Sequence, residues 1–273
     1  MYPRILPAIM FAALSQPAIA QMQSAEVTLT RIDCGRASEP MPLAAFDDTG
    51  ASDAMARALV VSCYLVRHGD DLLIWDTGID PATSGDPDGG FTMTATLVDE
   101  LAALGIAPAD VDYVGISHYH YDHTGQARDF PQVTLLIGAQ DWEVIENGAP
   151  FIDRSLFAPW LDGGGSVRKI SGDLDLFGDG TVRLLAMPGH TNGHHALLVR
   201  LAGTGPVMLT GDLAHYTENY EKEGVPTFND DRADTLASFD RFKRMAANYH
   251  ATVVIQHEPA DVGLLPAFPE AAR

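Results

Sequence analysis

The sequence has few positively charged residues. It contains 17 lysines and arginines against 37 aspartates and glutamates, which gives a formal net charge of −20 at pH 7. Proteins that bind nucleic acid or anionic lipid need a cluster of basic side chains on one face. The composition therefore excludes nucleic acid and a membrane surface as partners, and it favours a small molecule that is neutral rather than anionic.

Long apolar runs are scarce too, and no tandem repeat of fixed short period occurs. The run from Ile5 to Leu14 is too short to span a bilayer. It follows Arg4 and precedes Ala18-Ile19-Ala20, which matches the small-residue pattern of a cleavage site. We predict a signal peptide at residues 1–20 and a periplasmic or secreted protein. A retained membrane anchor is the alternative, but no stop-transfer pattern follows. Residues 21–273 suffice for one large domain.

Cysteine occurs only twice, as Cys34 and Cys63. Both lie in probable strands, and an exported compartment permits a disulfide. A disulfide and two buried free thiols are both compatible with this placement. Neither cysteine belongs to a ligand motif, so we do not expect either to bind a metal.

Histidine, in contrast, is concentrated in one short stretch. An apolar run, 111–116, predicts a buried strand, and the loop after it holds three imidazoles and a carboxylate. These residues are His118, His120, Asp122 and His123. In an extended segment, alternate residues point the same way, so one metal could take the first pair and a second metal the other two. Imidazole and carboxylate suit zinc and its first-row neighbours. The alternative is a polar loop that happens to be rich in histidine.

Three further candidate ligands follow apolar runs later in the chain. His190 follows the run 181–187, and the two others follow in the same way: Asp212 after 206–210 and His257 after 252–256. Loops at the ends of strands converge to form the site in many α/β proteins. The same strand-then-ligand arrangement therefore occurs four times, and we expect the four loops to meet.

The order of these motifs resembles the metallo-β-lactamase superfamily. That order is HxHxDH, PGHT, GD and a late histidine, with Asp76-Thr77-Gly78 as a further landmark. Within the superfamily the chain is similar to the N-acyl-homoserine lactonases. The similarity is carried by Cys63-Tyr64-Leu65, by Pro188 to His194 and by Glu218-Asn219-Tyr220. It runs from about Cys34 to His257. The resemblance implies an α/β fold, a four-layer αββα sandwich of two mixed β-sheets flanked by helices, as the catalytic domain over residues 21–273.

The resemblance also implies a division of the ligands between two Zn²⁺ ions per chain. His118, His120 and His190 would hold the first ion, and Asp122, His123 and His257 the second. Asp212 would bridge them. Asp76 would orient a ligand histidine from behind. Because lactonase relatives, including cytoplasmic ones, carry cysteines at similar places, two buried free thiols become the favoured state of Cys34 and Cys63.

The implied activity is opening of the lactone ring of N-acyl-homoserine lactones, with Asp122 shuttling the proton. Many homoserine lactonases have a tyrosine three residues after the bridging aspartate. This chain has His215 there and Tyr216 next, and either could donate to the oxyanion. An acyl chain could lie against the apolar segments around Phe91, Phe151, Phe157 and Trp160. These aromatics are equally compatible with plain core packing.

Other functions remain as alternatives. The chain could be another exported hydrolase of the superfamily that acts on β-lactams or on organophosphate esters. A bridging Asp212 argues against the β-lactam reading. A metal carrier without catalysis is the alternative of a different class, and it would hold one metal in a closed site. The sequence leaves the oligomeric state open and is compatible with a dimer.

Overall fold

The computed structural model describes Met1, residues 25–85 and residues 90–273. Beyond Met1, the predicted signal peptide lies outside the described residues and stays a prediction. In the described part of the chain, no helix has both the length and the apolar character that a membrane span requires.

The strands, in chain order, are β1 (Val27–Ala37), β2 (Met41–Pro42), β3 (Ala56–Arg57), β4 (Val60–His68), β5 (Asp71–Trp75), β6 (Phe91–Thr92), β7 (Tyr113–Gly115), β8 (Thr134–Gly138), β9 (Ser166–Ile170), β10 (Leu174–Asp175), β11 (Val182–Ala186), β12 (His195–Leu201), β13 (Gly205–Leu209) and β14 (Thr252–Val254). The α-helices are α1 (Leu97–Ala103), α2 (Tyr121–Thr124), α3 (Ala139–Asn147), α4 (Ala158–Leu161), α5 (Thr217–Lys222) and α6 (Arg232–Tyr249).

Two mixed sheets form the centre of the molecule. The first has the order β6-β1-β4-β5-β7-β8-β9, with antiparallel pairs as far as β5 and parallel pairs beyond it. The second has the order β10-β11-β12-β13-β14, and only its last pair is parallel. Strands β2 and β3 form a small separate ribbon. The prediction of two mixed sheets is confirmed.

Alternation along the strands explains the four layers. In β5, Leu73 and Trp75 belong to the apolar cluster between the two sheets, whereas Leu72 and Ile74 belong to the cluster under α1 and α3. Because successive side chains of a strand point to opposite faces, such a run, buried throughout, requires cover on both sides. On the second sheet, Leu198 and its neighbours pack against α6 through a third cluster. The predicted αββα sandwich is confirmed.

Two local features differ from what the sequence alone predicts. The spacing of Leu97, Leu101 and Leu104 predicts a helix over 92–104, but α1 begins at Leu97, because Thr96 caps its N-terminus in a reciprocal pair with Asp99 and Thr92 belongs to the edge strand β6. His68 stands before Gly69-Asp70, which predicts a solvated turn residue. Its ring instead stacks on Phe177 at 4.0 Å between centroids, and its Nε2 lies 2.8 Å from Asp179 Oδ2. The partners come from a turn more than 100 residues later, which no local pattern reveals.

The expectation of free thiols was also wrong. Cys34 and Cys63 form a disulfide between β1 and β4, with their Cα atoms 5.7 Å apart. The register of the two strands shifts between Asp33 and Gly35, so Cys34 lies at the irregularity beside its partner. A β-carbon at Gly78 would lie 2.5 Å from Cys34 Cβ. The disulfide therefore packs directly beneath the Asp76-Thr77-Gly78 turn.

Candidate metal centre

The seven predicted ligands converge at the ends of four strands. They fall into two groups, each with its ligand atoms within 4.8 Å of one another. The first group is His118, His120, His190 and Asp212, and the second is Asp122, His123 and His257. The strands β7, β11, β13 and β14 each end just before one of the loops that carry them. The predicted meeting of four loops therefore occurs.

In three of the histidine rings, the nitrogen that faces away from the centre, Nδ1, is hydrogen-bonded to an oxygen acceptor. The pairs are His123 Nδ1 with Asp76 Oδ2 at 2.9 Å, His190 Nδ1 with Asn229 Oδ1 at 2.8 Å, and His257 Nδ1 with the Val60 carbonyl at 2.7 Å. Each acceptor takes a hydrogen bond from the ring, so Nδ1 carries the N–H whenever the imidazole is neutral, as it is when it binds a metal. The Nε2 lone pair of each ring then points into the centre.

The inward nitrogens face one another at short distances. His120 Nδ1 lies 2.9 Å from His118 Nε2 and 3.0 Å from His190 Nε2. His123 Nε2 lies 3.1 Å from His257 Nε2. Lone pairs at this separation repel unless a proton or a metal cation lies between them. The imidazole and carboxylate donors therefore fit first-row divalent cations such as zinc.

The carboxylates of the centre favour positive charge. Burial acts to lower the pKa of His123, yet the carboxylates of Asp212 and Asp76 outweigh it and hold that pKa well above its usual value. Burial likewise acts to raise the pKa of Asp212, but His123, His257 and the other rings hold it well below its usual range. Asp212 is therefore ionised at neutral pH.

Asp212 lies between the two groups. Its Oδ1 is 2.9 Å from His257 Nε2 and 3.1 Å from His123 Nε2. Its Oδ2 is 3.4 Å from His190 Nε2 and 3.5 Å from His118 Nε2. One oxygen faces each group, which is the arrangement of a bridging carboxylate.

His194 fixes the backbone of Asp212. Its Nε2 accepts a hydrogen bond from the Asp212 backbone N–H at 2.9 Å, and its Nδ1 donates to the Met187 carbonyl at 3.0 Å. Both ring nitrogens are therefore satisfied by the scaffold. His194 therefore supports the centre through Asp212 and belongs to neither group that could hold a cation.

Asp76 orients the second group through a hydrogen bond to the His123 ring nitrogen that faces away from the centre, as the resemblance implies. Its Oδ2 accepts from His123 Nδ1 and from Gln256 Nε2, both at 2.9 Å, and its Oδ1 accepts from the Ser117 backbone N–H at 2.7 Å. Its φ of 58° is in the left-handed region, where aspartate is among the more tolerated residues. This carboxylate therefore restrains both the ring of His123 and the start of the histidine loop.

Sequence reasoning missed Gln256 and Asn229. Gln256 Oε1 accepts from Trp75 Nε1 and from the Gly211 backbone N–H, while its Nε2 donates to Asp76. Asn229 holds His190 and donates to Thr235 Oγ1 at 2.7 Å. Gln256 immediately precedes a ligand histidine, which is a weak signal, whereas Asn229 lies in a segment without any motif.

An apolar pocket of about 630 Å³ opens onto the centre. Its floor carries His120, Asp122, Asp212, His215 and His257. Its walls are mainly apolar and comprise Met41, Pro42, Ala44, Ala45, Phe46, Leu59, Phe91, Tyr121 and Phe228. Much of this wall comes from the segment 38–54, which the sequence predicts as a loop or flap.

The aromatic residues proposed as a pocket wall are only partly there. Phe91 lines the pocket. Phe157 and Trp160 do not, because they are buried in the cluster beneath the first sheet. Phe151 is 69% exposed and packs against Tyr119. Of the two alternatives, core packing holds for Phe157 and Trp160, and Phe151 lies neither in the core nor in the pocket wall.

The two candidate oxyanion donors occupy different environments. His215 lines the pocket, and its Nε2 lies 3.1 Å from Asp212 Oδ2. Burial lowers the pKa of His215 to about 4, so the ring is neutral near pH 7. Its Nδ1 is buried and has no hydrogen-bond partner among the described residues. Tyr216 is buried as well, but its hydroxyl donates to Ser52 Oγ at 2.9 Å, behind the pocket wall.

Comparisons with known proteins agree with this geometry. The family model of the metallo-beta-lactamase superfamily matches residues 56–257. The N-acyl homoserine lactonase AttM of Rhizobium johnstonii is 32% identical over 227 residues, which cover 73% of this chain and 82% of that protein. AttM of Rhizobium radiobacter is 36% identical over 178 residues, and this match spans 64% of that protein, less than two thirds. An N-acyl homoserine lactonase of a Bacillus species is 28% identical, covering 78% and 86% of the two chains.

Solved structures show the same fold. An N-acyl homoserine lactone hydrolase with N-hexanoyl-L-homoserine at its catalytic metal centre superposes with a TM-score of 0.77 at 23% identity, covering 91% of this chain and all of that one. The dizinc quorum-quenching lactonase AidC superposes with a TM-score of 0.66 at 17% identity, covering 92% and 91%. The chain belongs to the metallo-β-lactamase superfamily and resembles, within it, the N-acyl homoserine lactonases.

Proposed function

We propose that this protein is an exported N-acyl homoserine lactonase that uses two zinc ions. The observation that carries the proposal is the placement of two adjoining groups of metal-binding side chains on the floor of an apolar pocket. Its lactonase relatives, at up to 36% identity, support the same activity. The apolar wall suits a neutral acylated substrate.

The ligand assignment follows the two groups. His118, His120 and His190 would hold one ion, and the second group would hold the other, with Asp212 between them. When bound, such ions lower the pKa of water towards neutrality and polarise a carbonyl group. The chain contributes the orientation of the donors, through the hydrogen bonds that hold the histidine rings from outside the centre, and an apolar pocket beside them.

Asp122 is proposed to move the proton. Its side chain is 13% exposed and lines the pocket, and its oxygens lie 3.9 Å from His123 Nε2 and 3.7 Å from His257 Nε2. A carboxylate at this position can accept a proton from the attacking water and deliver it to the alkoxide that leaves when the ring C–O bond breaks. The products are a carboxylate and a free hydroxyl group on one molecule.

His215 is proposed as the donor to the developing oxyanion. The neutral ring carries one N–H, and the 3.1 Å approach of Nε2 to the ionised Asp212 places the hydrogen on Nε2. A cation held by the Asp212 carboxylate would compete for that oxygen, and the N–H would then be shared with the substrate carbonyl. This N–H is at the pocket floor, where the substrate carbonyl would lie. Tyr216 does not line the pocket, since its hydroxyl lies on Ser52 behind the wall, and it is therefore the weaker candidate.

Lactone opening releases a proton, so a pH-indicator assay of the metal-loaded protein tests the proposal. We expect kcat/KM for an acyl-homoserine lactone to exceed that for a penicillin or cephalosporin by at least about a hundredfold, because the acidic protein and apolar pocket disfavour an anionic β-lactam. Among lactones, each acyl methylene sequestered in the pocket should contribute about 0.8 kcal/mol. Equal or faster turnover of the β-lactam would contradict the proposal. Phosphate triesters are assayed in the same way, as the substrates of the alternative organophosphate hydrolase.

Export is tested by the mass of the secreted protein. Because Ala18-Ile19-Ala20 follows an apolar run, we expect cleavage that leaves Gln21 at the N-terminus. Intact-mass analysis of material from the periplasm or the medium should lack residues 1–20. A mass that includes them would contradict cleavage and favour a retained anchor.

A further inference from the structure

The structure contains a second buried carboxylate that is close to the centre but belongs to neither ligand group. Asp141 lies in the first turn of α3 and is fully buried. Its Oδ2 accepts from Thr191 Oγ1 and its Oδ1 from the Gly193 backbone N–H, both at 2.7 Å. Thr191 and Gly193 are the first and third residues after His190. The carboxylate therefore ties the His190 loop to the start of α3.

The segment that follows Gly193 pairs with the first histidine loop. The backbone N–H of His195 donates to the Ser117 carbonyl at 2.9 Å, directly before His118. His190 Nε2 itself lies 3.0 Å from His120 Nδ1. The placement of His190 beside the first histidine loop therefore depends on the loop that Asp141 ties to α3.

The contact between α3 and the His190 loop is too close for a larger residue at either glycine. A β-carbon at Gly193 would lie 2.6 Å from Asp141 Oδ1, and one at Gly138 would lie 2.0 Å from the Gly193 carbonyl oxygen. Glycine at both positions allows the loop backbone to approach the helix start. The hydrogen bonds to Asp141 are formed across this contact.

Burial of the Asp141 carboxyl group opposes its ionisation and so disfavours folding with the group charged. Burial raises its pKa to about 7, with Asp230 acting in the same direction and the hydrogen bonds from Thr191 and Gly193 opposing it. Ionisable groups with strongly shifted pKa values cluster at functional sites. A carboxylate that restrains ligand-bearing segments has this kind of role.

We propose that Asp141 is a positioning residue that holds the His190 segment against the start of α3, beside the first histidine loop, so that the first group can bind its cation. Asp76 serves the second group through His123, so each group has its own buried carboxylate. The inference rests on the proposed function in that it takes the first group to bind a metal. It adds a residue that touches neither substrate nor metal.

Metal affinity, measured by chelator competition on the purified full chain, tests this role without substrate. Outer partners of metal ligands typically contribute about ten- to a hundredfold in affinity. We expect Asp141→Ala to weaken one of two metal equivalents by about that factor and to leave the other unchanged. In Co²⁺-loaded protein the lost absorption should match that lost in His190→Ala rather than in His257→Ala.

Two variants serve as controls. Asp141→Asn keeps one acceptor for the Gly193 N–H and can donate to Thr191 Oγ1, so it should restore most of the affinity. Glu143→Ala changes an exposed carboxylate on the same helix and should behave as the wild type. Should Asp141→Ala fail to fold, Thr191→Val, which removes only the hydroxyl bond, should show the same selective loss to a smaller degree.

The inference would be overturned if folded Asp141→Ala bound both metal equivalents with the wild-type affinity. If the alanine variant does not fold, the same result in Thr191→Val would overturn it. A uniform weakening of both equivalents would do so as well, because it would indicate a general loss of structure. These outcomes are distinct from failure of the proposed function. A wild-type protein that binds two metals but opens no lactone would contradict the lactonase activity while leaving the role of Asp141 intact.

Discussion

Replacing Asp212 with alanine is expected to remove at least one of the two metal equivalents and to lower kcat/KM for a lactone by about a thousandfold or more. Asp212 is the only side chain with an oxygen directed at each ligand group in the described part of the chain. Metal ions contribute several kcal/mol of charge stabilisation to such reactions, and each 1.36 kcal/mol is a factor of ten. Losing one ion therefore removes most of the rate enhancement.

Elemental analysis of gently purified protein and steady-state kinetics measure this effect together. Asp240→Ala is a matched control, because its carboxylate is exposed on α6 and pairs only with Arg244. It should retain two equivalents and full activity. If Asp212→Ala kept both equivalents and wild-type turnover, the bridging role would be wrong. One equivalent in the wild-type protein under excess metal, with activity intact, would contradict the two-metal centre itself.

The convergence of the seven candidate ligands was predictable because the pattern that encodes it is local. Each histidine or aspartate follows an apolar strand of its own, as His190 follows β11 and His257 follows β14. Strand ends on one side of a sandwich meet whatever the lengths of the connections. The four-layer arrangement was predictable through the resemblance, and the alternation within β5 explains it.

What could not be predicted depends on contacts between distant segments. Asp141 lies 50 positions from Thr191, and Gln256 lies 180 positions from Asp76. Neither contact leaves a periodic trace in the sequence. The disulfide was missed for a similar reason, since it depends on a register shift in β1. The pocket wall from 41–46 belongs to a segment without periodicity, so the more conspicuous Phe157 and Trp160 were proposed in its place.

The sequence alone does not distinguish the roles of His215 and Tyr216. The sequence places the two side by side, whereas the structure directs one to the pocket floor and the other to Ser52. We expect His215→Ala to lower kcat for lactone opening by about a hundred- to a thousandfold, the usual effect of removing one oxyanion donor. Metal content should stay at two equivalents, because His215 belongs to neither ligand group.

Tyr216→Phe is the matched comparison. It removes only the hydroxyl bond to Ser52 Oγ, so we expect kcat close to the wild type and a loss of about 0.5–1.5 kcal/mol in the free energy of unfolding. His215→Gln retains an N–H donor and should recover part of the activity that His215→Ala loses. A larger loss of kcat in Tyr216→Phe than in His215→Ala would reverse the assignment. Near wild-type kcat in both would mean that neither side chain donates to the oxyanion, which would leave its stabilisation to the bound cations.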